Sequence, residues 1–291
     1  MTDNGMKSIY QKRTRLGDNI LKALIYLAAG VAIALLVGIM GYVFVRGLPQ
    51  ISWQFLSTVQ SSLKGTFGIL GNIVNTLYII VITLIIAAPL GIGSAIYLNE
   101  YAKPGKLVRT IEFTTEILSG IPSIIFGLFG MVFFGMTLKL GYSILTGSFT
   151  LTLMVLPLIT RNTQEALKTV PDSYRSGALG IGATKWYMIR TILLPSAAPG
   201  ILTGVILSIG RIVGESAALL FTAGSGFQLP KNLFGKLFES SGTLTIQLYL
   251  SMQKAKYDQA FGIAVVLLII VLGINLMTRF LTNRFDVTKL K

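Results

Sequence analysis

The sequence predicts an all-α membrane protein, a polytopic bundle of about six transmembrane helices. Of its 291 residues, 53% are hydrophobic and 12% are charged, and the mean hydropathy is +0.72. Several stretches also reach the length of about 20 mostly apolar residues that a helix needs to cross roughly 30 Å of hydrocarbon. A soluble domain has no use for so much apolar surface, so the composition argues against one.

Six stretches are predicted to span the membrane. Tyrosines and glycines are the main interruptions of the first, and the second carries Pro89 near its end, where a kink is tolerated. The fourth is diluted by serines and threonines, which favours a helix packed inside the bundle rather than against lipid. The predicted spans are, in order, Leu24–Val45, Ile69–Leu98, Ile117–Leu138, Leu140–Thr160, Ser196–Ala223 and Ala260–Met277.

Basic residues predict the orientation, because Lys and Arg are retained on the cytoplasmic face of a membrane. With the amino terminus inside, 17 of the 25 Lys and Arg residues fall in cytoplasmic segments, 7 in outer loops and one, Arg211, within a span. Both termini are therefore expected in the cytoplasm. The chain then divides into a basic tail (1–23), a first transmembrane helix with an outer loop (24–69), a main transmembrane domain (70–280) and a second basic tail (281–291).

The composition also argues against several kinds of site. The chain has no cysteine and no histidine, so we expect no disulfide, no metal site and no catalysis by this chain alone. It lacks the G-x-x-x-x-G-K-[ST] loop that cradles nucleotide phosphates, so any ATP-driven process must take its nucleotide site from another protein. The net charge of +14 predicts contact with anionic lipid of the bilayer rather than with nucleic acid.

The longest predicted cytoplasmic segment, 161–195, is too polar to span and too apolar for a plain linker. A first helix is expected after Pro171, with a break at Gly182. Thr184 is expected to cap a second helix that reaches Pro195, where the next span opens. A helix, a glycine bend and another helix make a compact projection that the groove of a partner can hold.

The spacing within this segment resembles the cytoplasmic loop of ABC-importer permeases, which has the form E-A-A-x3-G-x9-I-x-L-P. The glycine and the closing residues of this pattern are Gly182, Ile192, Leu194 and Pro195. Ser176, Gly177 and Ala178 occupy the E-A-A positions, so the leading acidic residue does not match.

Three further stretches of the chain carry a more specific resemblance. They are NTLYIIVITLIIAAPLGIGSAIYLNEYA (75–102), LSGIPSIIFGLFG (118–130) and GILTGVILSIGRIVGESAALLFTAG (200–224). These stretches resemble the phosphate-specific permeases of this class. The F-T-A-G that closes the third stretch is more similar to the A-type subunit of phosphate importers than to its C-type partner. The resemblance covers roughly residues 70–280.

The resemblance implies the type I ABC importer permease fold and a transport subunit, not an enzyme, of a phosphate importer in the bacterial cell (inner) membrane. The implied partners are a C-type phosphate permease subunit, an ATPase subunit dimer and an extracytoplasmic phosphate-binding protein. ATP is expected on the partner ATPase, and no cofactor on this chain. The residues implied to couple this chain to the ATPase are Ser176, Gly177, Ala178, Gly182, Trp186, Ile192, Leu194 and Pro195.

Arg211 lies within the predicted fifth span, where an ionised side chain costs about 2.5 to 3.5 kcal/mol unless it is paired or hydrated. Glu215 follows one helical turn later, so the two are expected to share a helix face and neutralise each other. We interpret Arg211 as part of the anion pathway, donating two hydrogen bonds to phosphate oxygens while Glu215 holds or gates it. A buried ion pair that fixes helix packing is the alternative.

Glycines predict close helix packing and one bend. The G-x-x-x-G pairs, which allow another helix to approach closely, are Gly200 with Gly204 and Gly210 with Gly214. Gly120 and Pro122 interrupt the third span and predict either a hinge or a static kink. Glu112 and Glu116, just before the bend, are expected to form an interfacial charge cluster, solvated or paired with Arg109, rather than part of the pathway.

Two other functions remain open at this point. The first is a permease of the same class that carries sulfate, molybdate or another solute, since Arg211 alone does not separate these anions. The second is a secondary transporter or channel that works without ATP, for which Glu215 would have to serve as the coupling site. Dependence on an ATPase partner separates the two classes.

Overall fold

The computed structural model of the chain describes residues 16–61, 66–230 and 232–285. Within them the chain is helical apart from one short antiparallel sheet, in which Val59 pairs with Ile69. Most of the predicted basic tails, residues 1–15 and 286–291, lie outside the described residues. The predicted all-α class is confirmed, and the small sheet was not foreseen from the sequence.

The first helix, α1, forms a compact unit of its own that ends at Arg46. It runs Leu16–Gly47 and is longer at its start than the predicted span from Leu24. All other elements belong to the second unit. They begin with a 3-10 turn Leu48–Gln50, α2 Trp53–Ser57, β1 Val59–Ser61, β2 Thr66–Ile69, α3 Leu70–Ile96 and a π-helical turn Tyr97–Tyr101.

The middle of the second unit contains the bent helix pair and the long helix that follows it. In chain order the elements are α4 Lys106–Gly120, α5 Ser123–Gly130, a π-helical turn Met131–Thr137, α6 Ile144–Lys168, α7 Asp172–Gly180, α8 Lys185–Met188 and a π-helical turn Ile189–Leu193. The remaining elements are α9 Leu194–Gly214, α10 Ala217–Thr222, a 3-10 turn Gly235–Phe238, α11 Leu244–Gln253 and α12 Tyr257–Phe285.

Five helices of the described part are long and apolar enough to cross a membrane, and the bent pair α4–α5 supplies a sixth if it counts as one span. The prediction of about six spans is confirmed in this sense. The third predicted span is not continuous, however, because α4 and α5 meet at 101°. The break falls at Ile121 and Pro122, whose extended backbone ends one helix and starts the next. Pro122 lacks an amide hydrogen and so cannot continue the helical hydrogen bonding.

Two predicted boundaries on either side of the 161–195 segment are also wrong. Helix α6 does not end at Thr160 but continues to Lys168, so the polar residues from Arg161 onward are helical. The helix that starts at Lys185 does not stop before Pro195 but runs without interruption to Gly214, as a 30-residue candidate span. Pro195 is tolerated inside this helix because a π-helical turn, Ile189–Leu193, lies directly before it, and such local changes of helix type satisfy the backbone groups that a proline leaves unpaired. The connecting loop is therefore short, residues 169–184, and we call the end of the bundle that carries it the loop end.

The core of the second unit is built around α6, which packs against α3 and α9. Its buried side chains include Leu151, Val155 and Ile159, and they contact apolar residues of α3, α5 and α10. The helix also buries Thr146, Thr150 and Thr152, whose hydroxyls donate to backbone carbonyls within or beside the helix. The predicted position of this serine- and threonine-rich segment inside the bundle is thereby confirmed.

At the end of the bundle opposite the loop end, the first turns of α3 hold a long connection in place. The Nδ2 of Asn72 donates to the carbonyl of Gly242 (2.9 Å), and that of Asn75 donates to the carbonyl of Gly226 (3.0 Å). Thr76 accepts a hydrogen bond from the amide of Leu244 (3.0 Å). These side chains satisfy backbone groups of neighbouring segments.

Candidate transport cavity and docking loop

Helices α6 and α9 run antiparallel and approach closely. Their register shows which residues of α6 lie at the same depth in the bundle as each residue of α9. A Cβ built on Gly200 would lie 2.6 Å from the Cβ of Ala166, and one built on Gly204 would lie 2.6 Å from the Cβ of Asn162. The first G-x-x-x-G pair therefore makes the close approach that the sequence predicts. Continuing the register from Gly204 brings Arg211 level with residues 154–155, near the middle of α6.

Gly210 and Gly214 behave differently. A Cβ built on either glycine would meet nothing within 4 Å among the described residues. The second G-x-x-x-G pair therefore makes no close helix contact within this part of the chain. A Cβ built on Gly120, at the end of α4, would likewise meet nothing within 4 Å in the described part of the chain, so the bend at Pro122 does not depend on close packing of these residues against Gly120.

A cavity of about 440 Å³ lies between α4, α6 and α9. It reaches from Arg211 and Met154, near mid-depth, to Lys168 at the loop end. The 14 residues that separate Met154 and Lys168 correspond to about 21 Å along a helix axis. The cavity is thus a polar cleft that connects the middle of the bundle with the loop end.

Arg211 is exposed in this cavity and forms no ion pair or hydrogen bond with another described residue. A guanidinium within an apolar helix needs water or a counter-ion to offset its desolvation. Because the side chain is not neutralised within the described chain, its five N–H donors are available to an anion that enters the cleft.

The predicted partnership of Arg211 with Glu215 is not formed. Helix α9 ends at Gly214, and Glu215 has extended backbone geometry (φ −80°, ψ 126°), so the two residues do not share a helix face. Instead, the Oε1 of Glu215 accepts a hydrogen bond from the amide of Ala218 (3.0 Å) in the first turn of α10. The predicted fifth span to Ala223 is accordingly two helices separated by a break at residues 215–216.

Two carboxylates that the sequence assigned to an interfacial cluster line the same cavity as Arg211. Glu112 and Glu116 of α4 are exposed there, and neither pairs with Arg109 among the described residues. The other charged lining residues are Arg161, Glu165 and Lys168, of which the first two form an exposed pair (3.4 Å). The lining carries three carboxylates and three cations, so the positive charge of Arg211 is not part of a general basic surface.

The docking loop, residues 169–184 together with α8, has the predicted helix–bend–helix form. Helix α7 ends in a Schellman arrangement, in which the amide of Ala183 donates to the carbonyl of Ala178 and that of Gly182 to the carbonyl of Leu179 (both 3.0 Å). Gly182 has φ +85°, the left-handed conformation that favours glycine. The Oγ1 of Thr184 then caps α8 by accepting from the amide of Tyr187 (3.3 Å).

The structure divides the motif residues of this loop into two groups. Ala178 is buried and Ile192 and Leu194 are half-buried against the core at the loop end. Ser176, Gly177, Gly182, Trp186 and Pro195 are exposed. Large apolar side chains of the same loop are also exposed, and Ile181 is the most exposed of them, at 88%. The others are Tyr174, Leu179, Trp186 and Tyr187.

One ion pair at the loop end was missed by the sequence analysis. Arg175 of α7 donates from Nη2 to the Oε1 of Glu100 (2.9 Å), in the π-helical turn that ends α3. The partners are 75 positions apart, and neither lies in a recognisable motif, so no local pattern points to the pair. Among the described residues, no three acidic side chains lie close enough to hold a metal ion.

Comparison with known proteins shows the family to which the chain belongs. Residues 87–288 match the family model "Binding-protein-dependent transport system inner membrane component". A probable ABC transporter permease of Bacillus subtilis, YqgI, is 35% identical over 92% of this chain and 95% of its own. The phosphate transport system permease protein PstA of Mycobacterium leprae is 32% identical over 94% of this chain and 91% of its own.

A solved structure shows the same fold at low sequence identity. A chain of a bacterial alginate ABC transporter, crystallised with an alginate-bound periplasmic protein, superposes with a TM-score of 0.68 at 17% identity. The match covers 93% of this chain and 96% of the other, and it confirms the predicted ABC importer permease fold. The chain therefore belongs to the binding-protein-dependent transport system inner membrane components, the multi-pass permease subunits of ABC transporters.

Proposed function

We propose that this chain is a permease subunit of an ATP-driven importer of inorganic phosphate. The observation that carries the proposal is the guanidinium of Arg211, which has no ion-pair partner among the described residues and lies at the inner end of a cleft that reaches the loop end of the bundle. Three relatives that match over most of the chain are phosphate transport system permease proteins, PstA of two mycobacterial species and PstA of Xylella fastidiosa, and this similarity favours phosphate as the anion.

The chemistry of Arg211 suits transient binding of phosphate. A planar guanidinium donates two parallel hydrogen bonds to two phosphate oxygens, and no carboxylate of the described residues occupies the donors of Arg211. A transported anion must also leave. Besides Arg161 and Lys168, the cleft lining carries the carboxylates of Glu112, Glu116 and Glu165, whose negative charges disfavour a second anion site beside them.

The assembly that we propose has the loop end in the cytoplasm, as the distribution of Lys and Arg predicts. The exposed aromatic and aliphatic side chains of the docking loop would fill a groove on an ATPase dimer, which would hold the ATP. A C-type permease would close the open side of the cleft, and an extracytoplasmic binding protein would deliver phosphate to the opposite end. Both termini would lie in the cytoplasm of a bacterial cell.

The direct test is radiolabelled phosphate uptake at low external concentration in cells that lack this chain, with and without its re-expression. Sulfate uptake in the same cells is the control for substrate. We expect re-expression to restore ATP-dependent phosphate uptake and to leave sulfate uptake unchanged. Restoration of sulfate uptake alone, or no effect on phosphate, would contradict the proposed substrate and leave the permease family as the remaining conclusion.

A further inference from the structure

Arg175 is the principal polar contact between α7 and the rest of the chain. Of the nine residues of α7, all of them described, seven are exposed, Ala178 is buried and Arg175 is half-buried. The small side chain of Ala178 supplies a limited apolar contact. The position of α7 relative to the bundle therefore depends strongly on where the guanidinium of Arg175 binds.

The guanidinium binds the ends of α3 and α6 at once. Its Nη2 donates to the Oε1 of Glu100 (2.9 Å) at the end of α3 and to the carbonyl of Leu167 (2.9 Å) in the last turn of α6. Its Nη1 donates to the carbonyl of Val170 (2.9 Å), just after α6, and to the Oδ1 of Asp172 (3.1 Å). A displacement of α7 is thus passed directly to the ends of α3 and α6.

Burial makes the contact with Glu100 hard to break. The Glu100 side chain is 4% exposed and that of Arg175 is 19% exposed. The carboxylate also accepts a hydrogen bond from the Nδ2 of Asn99 (2.7 Å), but Arg175 is the cation that neutralises it. Separation of the two would leave a buried charge without a partner, which is strongly unfavourable. The pair is therefore expected to move as a unit.

One of the helices that Arg175 binds, α6, also lines the cleft. Helix α6 contributes Met154, Leu158 and Arg161 to the lining, and α3 packs along α6. The end of α3 that holds Glu100 is a π-helical turn, a distortion that frequently marks functional sites. Movement at Arg175 can therefore alter the helices that enclose Arg211.

We propose that Arg175 and Glu100 are positioning residues that transmit displacement of the docking loop to α3 and α6, and so couple ATP hydrolysis to transport through the cleft. This inference rests on the proposed function, in which the docking loop binds an ATPase. It goes further by assigning the transmission to one buried ion pair rather than to the exposed surface of the loop.

The test compares variants in the complete complex, with the partner permease and ATPase subunits, reconstituted in vesicles that report ATP hydrolysis and phosphate uptake together. The variants are Arg175→Gln and Glu100→Gln. Asp172→Asn is the matched control, because its carboxylate contacts the same guanidinium (3.1 Å) but is 98% exposed. Loss of a buried pair is expected to lower the phosphate moved per ATP hydrolysed by about tenfold in both variants, with the control near wild type.

A merely structural role would lower complex yield, ATP hydrolysis and uptake in proportion, and would leave the phosphate moved per ATP unchanged. That result would overturn the inference. If Arg175→Gln lowers complex yield, Arg175→Lys keeps the buried positive charge with fewer hydrogen bonds, and its coupling ratio must then lie between those of wild type and Glu100→Gln.

A second readout does not depend on the substrate. Amide hydrogen exchange of residues 97–101 in the complex should change when ATP binds to the wild type, and this change should be lost in Arg175→Gln. If ATP changes exchange equally in both, the inference is wrong whatever the transported solute. If the exchange behaves as expected while wild-type vesicles take up no phosphate, the proposed substrate is wrong and the coupling role stands.

Discussion

Replacement of Gly204 by alanine tests the helix register on which the depth of Arg211 depends. The added methyl carbon would lie 2.6 Å from the Cβ of Asn162, about 1 Å closer than the separation of roughly 3.5 to 4.0 Å at which carbon atoms make favourable contact. The Cβ of Asn162 is fixed to its backbone and cannot rotate away. Helices α6 and α9 must therefore separate locally, and such overpacking costs about 1 to 3 kcal/mol.

Alanine also has a higher helix propensity than glycine, by about 1 kcal/mol, which partly offsets this cost. Gly210→Ala, in the same helix, isolates that effect because a Cβ there meets nothing within 4 Å among the described residues. We expect Gly204→Ala to melt at a lower temperature than Gly210→Ala when the isolated chain is unfolded thermally in detergent, with their free energies of unfolding about 1 to 3 kcal/mol apart. Equal melting temperatures would refute the close α6–α9 contact and the register derived from it.

Three further predictions concern charge and orientation. Arg211→Ala should lower phosphate uptake about tenfold or more while the complex still assembles, because hydrogen bonds to charged groups contribute about 1.5 to 3 kcal/mol; equal loss of assembly would favour a packing role. Glu215→Gln should transport phosphate like wild type, because the amide oxygen of glutamine can still accept the hydrogen bond from the amide of Ala218. Glu215→Ala should lose about 0.5 to 2 kcal/mol of stability, as other proteins do when a helix cap is removed. A stable Glu215→Gln variant that does not transport would show that the charge of Glu215 is needed. The chain has no cysteine, so Ile181→Cys should react with a membrane-impermeant thiol reagent from the cytoplasmic side and Asn232→Cys from the outside, and the reverse pattern would invert the orientation.

The number and approximate positions of the membrane spans could be predicted from the sequence, because the hydrocarbon core of a bilayer requires every spanning helix to have a similar length and an apolar composition. The position of the bend after α7 could also be predicted, because the loop pattern places a glycine at residue 182 and Gly182 adopts the left-handed φ that ends the helix. The boundaries were less predictable. The turn from Arg161 to Lys168 is polar but stays helical, because it packs at the loop end on residues such as Leu193 and Ile201.

The break after Gly214 was not predictable from local sequence. The run from Ile212 to Ala223 contains no proline and is mostly apolar, with Glu215 as its one charged residue, yet the chain turns at Glu215 and Ser216. The hydroxyl of Thr245, on α11, donates to the carbonyl of Glu215 (2.8 Å), which compensates for the interrupted helix. A residue 30 positions away in sequence therefore satisfies a backbone group at the break that separates Arg211 from Glu215.

The contact between Arg175 and Glu100 escaped the sequence analysis for the same reason. Each residue looks like an ordinary charge next to a span, and solvation is the simplest expectation for such a residue. Their burial arises from the folding of α7 onto the ends of α3 and α6, which places residues 75 positions apart in contact. Long-range contacts of this kind determine much of the candidate site.

The most direct test of the central claim is phosphate accumulation in vesicles that contain this chain, a partner permease and the ATPase, with ATP enclosed and a phosphate-binding protein outside. We expect phosphate to accumulate inside against its gradient when ATP and this chain are both present, and sulfate not to accumulate. Phosphate accumulation without ATP, or without this chain, would contradict its role as a subunit of an ATP-driven phosphate importer.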